Sequence, residues 1–131
     1  MTTINDVLGI FAPGPKTRRR KAYRLGHRAE FLAAWALRLK GYRIVAKRFK
    51  TPVGEVDLVA RKKNLILFVE VKARRTEEAA LHSISRTAQR RIESAGGWWL
   101  SKQADFSKLS WRCDVVAVTP RRWPLHFENV W

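Results

Sequence analysis

The sequence predicts an α/β domain in which helices flank a mixed β-sheet. Segments with helical spacing of apolar residues and segments with strand-like alternation follow one another in the order αβββαβ. One strand is apolar on both faces, which is typical of a central strand covered by helices on both sides. The length of 131 residues fits one compact domain. We therefore expect a flexible basic tail over residues 1–22 and one folded domain over residues 23–131.

The first helix is predicted over residues 23–40. Its apolar residues recur at helical spacing and end before Gly41, a residue that suits a helix C-terminus. The stripe consists of Leu25, Ala29, Leu32, Ala36 and Leu39. Glu30 falls at the edge of this stripe, so we expect it to be neither fully buried nor directed straight into solvent.

Three strands and a short hairpin turn follow the first helix. We predict the strands over residues 42–49, 55–61 and 65–74, separated by turn-forming segments. The short turn at residues 62–64 predicts that the second and third strands pair antiparallel. Residues 65–69 are apolar without interruption, which places the third strand at the centre of the sheet.

A second helix and one or two further strands complete the predicted domain. The helix covers residues 84–103, and the pair Gly96-Gly97 weakens it enough to allow a kink or break. A fourth strand is predicted over residues 111–119, and a fifth, short strand over residues 125–130.

Net charge indicates the class of partner. The 27 Lys and Arg residues exceed the 11 Asp and Glu residues by 16, and such an excess favours a polyanion whose counterions are released on binding. Nucleic acid is the first candidate, an anionic membrane surface or ribosomal RNA is the second, and charge alone does not separate them. No apolar run approaches the roughly 18 residues that span a bilayer. The partner we expect is nucleic acid, DNA ahead of RNA, and not a membrane. Cys113 is the only cysteine; it is expected to pack as a small hydrophobe and suits a reducing cytoplasm.

Two carboxylates stand inside apolar strands. Asp57 follows Val56 in the second strand, and Glu70 follows Val69 in the third. A buried carboxylate costs several kcal/mol unless it is paired, and two neighbouring ones repel unless a cation lies between them. The antiparallel hairpin makes Asp57 and Glu70 near cross-strand neighbours, and strand alternation places Lys72 on the face of Glu70.

This arrangement suits the hydrolysis of phosphodiesters. Carboxylate oxygens are the ligands that Mg²⁺ prefers, and a bound divalent ion neutralises developing charge and lowers the pKa of a bound water. Lys72 could then orient that water or stabilise the charge.

Arginines outside this cluster are candidates for contact with phosphates. They line a groove beside the site or form a solvated basic face, and the net charge favours the groove. Those in the folded domain are Arg74, Arg75, Arg86, Arg90 and Arg91. Arg19 and Arg20 belong to the basic tail, which is either a disordered solubilising arm or a further contact with nucleic acid.

Asp57 is followed, after twelve intervening residues, by Glu70-Val71-Lys72. This pattern resembles the signature of the PD-(D/E)xK nuclease superfamily, whose fold is restriction-endonuclease-like with an αβββαβ core. Further blocks resemble the YraN family of small bacterial proteins, which is related to archaeal Holliday junction resolvases. These blocks are Gly26-His27-Arg28-Ala29-Glu30, Gly41-Tyr42, Gly54-Glu55-Val56-Asp57-Leu58, Phe68-Val69-Glu70-Val71-Lys72-Ala73-Arg74 and Cys113-Asp114-Val115-Val116. The resemblance covers about residues 23–131.

The resemblance implies a role for individual residues. Asp57, Glu70 and the backbone carbonyl of Val71 become ligands of Mg²⁺ or Mn²⁺, and Lys72 becomes the catalytic lysine. Glu30 matches a helix glutamate that holds a metal-bound water, and Gln89 matches a polar helix residue near such sites. Cleavage of a junction would favour a homodimer, because two strands must be cut.

The sequence departs from the family pattern at three places. Val56 stands where the superfamily has its proline, Arg48 stands where the family often has Asn, and residues 77–80 replace a stretch that usually contains glycine. The last departure bears on how a loop after the third strand would position a substrate.

Simpler interpretations exist for several of these residues. Glu70 and Lys72 could be an exposed pair on an edge strand, although their apolar neighbours argue against it. Glu30 is also compatible with a surface salt bridge, and Gln89 with an ordinary position on a helix surface. Asp114 is expected to pair with a nearby arginine rather than with a metal. Two functions therefore stand side by side: a metal-dependent DNA endonuclease, and a catalytically idle protein that binds DNA or ribosomal RNA.

Overall fold

The computed structural model describes residues 15–131, with side chains from Gly26 onward. Three helices, one 3₁₀ turn and five strands make up this part of the chain. In chain order they are α1 (Pro15–Leu39), β1 (Arg43–Thr51), β2 (Gly54–Lys62), β3 (Leu65–Ala73), α2 (Glu77–His82), α3 (Arg86–Ser101), the 3₁₀ turn (Phe106–Lys108), β4 (Ser110–Val118) and β5 (Leu125–Phe127).

The strands form one mixed sheet in the order β1-β2-β3-β4-β5. Strands β3 and β4 run parallel, and the other neighbouring pairs run antiparallel. The β2–β3 hairpin closes at the pair Lys62↔Leu65, as its short turn predicts. Strand β3 is the middle strand of the five, so the predicted α/β fold with a mixed sheet is confirmed, and it is consistent with a restriction-endonuclease-like core.

Helix α1 begins at Pro15, eight residues before the predicted start. Proline is well suited to the first turn of a helix, and Lys and Arg have good helix propensity, so the basic run continues the helix. Residues 1–14 of the predicted tail lie outside the described residues, as do the side chains of Arg19 and Arg20. None of the helices among the described residues has both the length and the apolar character to cross a bilayer.

Helices cover both faces of the sheet, and each face has its own core. On the first face, α1 packs on β2, β3 and β4 through Ala33, Ala34, Leu37, Tyr42, Leu58, Ala60, Leu67, Val69 and Val116. On the second, α3 packs through Val56, Val59, Ile66, Phe68, Ile92, Ala95, Trp99, Leu100 and Cys113. Cys113 is therefore a buried hydrophobe, and burial raises the pKa of its thiol to about 12. Leu39, predicted on the buried stripe of α1, is exposed instead.

Two glycines permit close packing around α3. A Cβ atom on Gly96 would lie 2.7 Å from the ring of Phe68, and one on Gly54 would lie 1.9 Å from the backbone oxygen of Arg91. Helix α3 runs unbroken through Gly96 and Gly97, so the break allowed by the glycine pair is absent. Gly96 serves close approach to the sheet, and Gly54 lets the β1–β2 turn touch the first half of α3.

The short helix α2 was not predicted from the sequence. Thr76 caps its N-terminus, because the Thr76 hydroxyl accepts a hydrogen bond of 3.1 Å from the backbone N–H of Ala79. Glu77 and Glu78 occupy the first turn, where acidic side chains favour the helix dipole. The segment that departs from the family pattern is thus helical.

Candidate metal centre

The candidate site begins at an irregularity shared by β1 and β2. Lys47 pairs with Leu58 and Phe49 pairs with Val56, which leaves Arg48 opposite Asp57. In a regular strand, residues two positions apart lie on the same face of the sheet. Val56, however, packs in the core on the α3 side, whereas Leu58 packs in the core on the α1 side. Arg48 has a positive φ of 49°. The alternation of side chains between the two faces of the sheet is therefore interrupted where Arg48 lies opposite Asp57.

Asp57 lies where β2 and β3 stop pairing. The last register pair of the two strands is Leu58↔Val69. Beyond this pair, the Val71 N–H of β3 donates a hydrogen bond of 2.8 Å to Asp57 Oδ2 of β2. A side-chain carboxylate thus takes the place of a main-chain acceptor, which fixes the Asp57 carboxylate at the end of the hairpin.

Glu70 and Lys72 complete the cluster. Lys72 Nζ lies 3.2 Å from Glu70 Oε1, and the two side chains are only 21% and 15% exposed, respectively. They are therefore not an exposed pair on an edge strand, and β3 lies at the middle of the sheet. The structure brings Asp57, Glu70 and Lys72 to one place, and their catalytic roles stay predictions.

The surroundings of Asp57 disfavour the charged form of its carboxyl and so raise its pKa. Burial, and then the neighbouring charge of Glu70, raise the pKa of Asp57 to about 7. The hydrogen bond from Val71 opposes this rise, and the charge of Glu30 adds to it. A hard divalent cation beside these oxygens would relieve the cost of the charged form of Asp57.

Glu30 is directed to a different partner. Its Oε2 lies 2.7 Å from Arg48 Nε, and the Glu30 side chain is 19% exposed. Among residues 26–131 no group of three or more His, Cys, Asp or Glu side chains is close enough to hold a metal ion together. Asp57 and Glu70 are the two carboxylates that lie together here, and Glu30 is held in a salt bridge with Arg48. The role of these residues and of the Val71 carbonyl as metal ligands stays a prediction.

The remaining predicted residues surround this cluster less closely. Gln89 is half-buried on the first turns of α3, and its Nε2 lies 3.5 Å from the carbonyl oxygen of Ile84. Within the described part of the chain it makes no hydrogen bond to Asp57, Glu70 or Lys72. The predicted phosphate-binding arginines of the domain are all exposed: Arg74, Arg75, Arg86, Arg90 and Arg91. Their exposure is compatible both with a phosphate groove and with a solvated face.

A second buried aspartate provides a contrast. Asp114 is fully buried and lies 2.9 Å from Arg112 Nε, as predicted, but also 2.7 Å from His126 Nε2. The Asn129 N–H donates a further hydrogen bond of 2.9 Å. Burial alone would raise the pKa of Asp114, but these hydrogen bonds together outweigh it and hold the pKa below the usual range. Asp114 has a cationic partner in Arg112, whereas Asp57 accepts a hydrogen bond from the Val71 N–H and lies beside a second acid, Glu70.

Sequence reasoning missed Arg48 and His126 as members of these clusters. The register Val116↔His126 brings the histidine next to Asp114, but a strand of three residues gives little sequence signal. Arg48 reaches the site because its backbone leaves the regular strand conformation. The only sequence signal was its departure from the family's Asn, a residue that tolerates positive φ.

Replacing Asp57 with Asn is expected to stabilise the metal-free protein at pH 8. The folded-state pKa of about 7 exceeds the unfolded value near 3.9, so the stability contributed by this group falls as the pH rises from about 4 to about 7. Asn removes the charge and still accepts from Val71. We expect the free energy of unfolding to rise by about 2 to 4 kcal/mol at pH 8 and to stay almost unchanged at pH 4, measured by urea unfolding in EDTA. Equal gains at both pH values would contradict this explanation.

Comparisons with known proteins agree with the sequence motifs. The model of the family described as "Uncharacterised protein family UPF0102" matches residues 29–118. A UPF0102 protein of Chelativorans sp. (strain BNC1) is 61% identical over 113 residues, which covers 86% of this chain and 91% of the relative. A UPF0102 protein of Mesorhizobium japonicum is 57% identical over 118 residues, 90% of this chain and 94% of the relative. One of Rhizobium meliloti is 53% identical over 118 residues, 90% and 97% of the two chains.

Proposed function

This chain belongs to the UPF0102 family, and from that premise we propose that it is a metal-dependent endonuclease that hydrolyses phosphodiester bonds in DNA. The observation that carries the proposal is the contrast between the two aspartates of the sheet. Asp114 is paired on all sides, while Asp57 sits beside Glu70 with its pKa raised to about 7. Strongly perturbed carboxylates with an adjacent lysine are found most often where a protein does chemistry.

Each residue of the cluster has a role in this proposal. Asp57 and Glu70, with the Val71 carbonyl, would hold Mg²⁺ or Mn²⁺. A divalent ion held there would supply charge neutralisation and lower the pKa of a bound water. Lys72, whose Nζ lies 3.2 Å from Glu70 Oε1, would orient the attacking water or stabilise charge on the phosphate. Val71 keeps Asp57 in place through its N–H.

The substrate is inferred from charge and exposure. A net charge of +16 and exposed arginines on α3 and after β3 favour a polyanion, since each phosphate contact releases counterions. DNA, including branched intermediates of repair or recombination, is the substrate class we propose. Two strands are cut in such a junction, and a homodimer would supply two sites.

A second candidate function is binding of DNA or ribosomal RNA without cleavage. The observation that favours it is the salt bridge of Glu30 with Arg48, which keeps Glu30 from the role that the family resemblance implies. This alternative predicts salt-sensitive binding that Asp57→Asn and Lys72→Met leave almost unchanged. It also predicts no turnover on any nucleic acid.

The experiment is a cleavage assay on linear, flapped and four-way DNA with Mg²⁺ or Mn²⁺, against EDTA. The proposal expects metal-dependent cleavage that Asp57→Asn and Glu70→Gln each abolish. Glu78→Gln is the matched control, because Glu78 is an exposed carboxylate on α2 outside the cluster, and it should cleave like the unmodified protein. Absence of metal-dependent cleavage on every substrate, or cleavage that survives Asp57→Asn, would reject the endonuclease in favour of the binding protein.

A further inference from the structure

Arg48 holds a backbone conformation that arginine rarely adopts. Its φ is 49°, in the left-handed region, which costs a residue with a Cβ about 1 kcal/mol or more. It occurs in the middle of β1, between the register pairs Lys47↔Leu58 and Phe49↔Val56. Strain of this kind persists only where the surroundings over-determine it. The register of β1 and β2 sets Arg48 opposite Asp57, at the edge of the candidate metal centre.

The guanidinium of Arg48 engages a carboxylate that adjoins the same centre. Arg48 Nε lies 2.7 Å from Glu30 Oε2, a short distance typical of a charge-assisted hydrogen bond. Both side chains are part-buried, at 32% and 19% exposure, so solvent screens the pair less than a surface pair. The charge of Glu30 also contributes to the raised pKa of Asp57. Arg48, opposite Asp57 in the register of β1 and β2, thus pairs with a carboxylate beside the candidate metal centre.

We infer that Arg48 withholds Glu30 from the metal, so that Asp57 and Glu70 are the carboxylates that bind the divalent ion. This inference rests on the proposed metal centre and concerns how tightly the centre binds its ion. Without the guanidinium, Glu30 would be a part-buried carboxylate that has lost this counter-ion. A divalent cation at Asp57 and Glu70 would then be its nearest source of positive charge, directly or through a bound water.

The test measures Mn²⁺ binding by calorimetry, in the absence of DNA. Arg48→Asn removes the guanidinium, and Asn tolerates the positive φ; Arg48→Gly is a second variant that adopts this φ without penalty. We expect each to bind Mn²⁺ about tenfold more tightly than the unmodified protein. The double variant Glu30→Gln, Arg48→Asn should return to the original affinity.

A matched control separates this effect from a general change in charge. Arg61 makes a comparable ion pair with Asp105, at 2.8 Å and with 20% exposure, at the other end of β2. Arg61→Asn removes the same charge, and its Mn²⁺ affinity should stay that of the unmodified protein.

Three outcomes would overturn the inference. The first is an unchanged affinity in Arg48→Asn and Arg48→Gly while Asp57→Asn abolishes Mn²⁺ binding; the metal centre of the proposed function would then survive. The second is tighter Mn²⁺ binding that persists in the double variant with Glu30→Gln, because the increase in affinity would then come from the loss of the arginine charge alone. The third is the absence of Asp57-dependent Mn²⁺ binding in the unmodified protein and in the Arg48 variants, which would overturn the metal centre as well.

Discussion

Lys72→Met is expected to lower the rate of metal-dependent DNA cleavage by about a hundred- to a thousandfold. Lys72 Nζ lies 3.2 Å from Glu70 Oε1 and is 21% exposed, so its ammonium acts where water screens it little. Met retains most of the volume of the lysine stem, and the loss therefore reports the charge. The measurement is a single-turnover rate at saturating protein, which separates the chemical step from binding.

Two companion measurements identify the reason for that loss. Mn²⁺ binding by Lys72→Met should be as tight as in the unmodified protein or tighter, because a cation beside the acids has been removed. Lys108→Met is the matched control: Lys108 is exposed on the 3₁₀ turn before β4, and its removal should leave the cleavage rate unchanged. A Lys72→Met rate within threefold of the original would show that this lysine has no part in the chemistry.

Asp114→Ala is expected to destabilise the fold by about 3 to 5 kcal/mol. The substitution leaves His126, whose side chain is 3% exposed, and the Asn129 N–H without their acceptor, and Arg112 without its buried partner. Because the pKa of Asp114 is held below its usual range, its stabilising effect is present at neutral pH. That effect is lost only as the pH falls through the lowered pKa.

Urea unfolding at pH 7 measures this loss, and two variants calibrate it. Asp105→Ala removes a carboxylate that is 38% exposed and pairs with Arg61 at 2.8 Å, and ion pairs open to solvent contribute less than buried ones. It should shift the unfolding midpoint far less than Asp114→Ala. Asp114→Asn should fall between the two, because its amide oxygen still accepts one hydrogen bond. Equal midpoints for Asp114→Ala and Asp105→Ala would mean that the buried network does not stabilise the fold.

The parts of the molecule that follow regular periodicity could be predicted from the sequence. The uninterrupted apolar run of β3 predicted the middle strand, and the short turn predicted the β2–β3 hairpin. Alternation and the hairpin register together predicted that Asp57, Glu70 and Lys72 converge. These predictions hold because they depend on local spacing and on one tight turn.

The parts that depend on tertiary contacts could not be predicted in the same way. Arg48 entered the site because β1 leaves the regular conformation at that residue, and an alternation pattern assumes a regular strand. From the sequence alone, Gly96 is expected to weaken the helix, but in the structure it allows the close approach of α3 to Phe68. His126 meets Asp114 only through the β4–β5 pairing. In each case a neighbour distant in sequence decided the outcome.

The position of bound Mn²⁺ decides whether Asp57 and Glu70 hold a divalent ion. Crystals of the protein soaked in Mn²⁺ would locate the ion by its anomalous scattering. We expect one ion in contact with Asp57 and Glu70, with Lys72 beside it and Glu30 still paired with Arg48, and no ion at that place in Asp57→Asn crystals. An ion bound elsewhere, or a cluster that stays empty while Lys72 and the two acids keep their contacts, would contradict it.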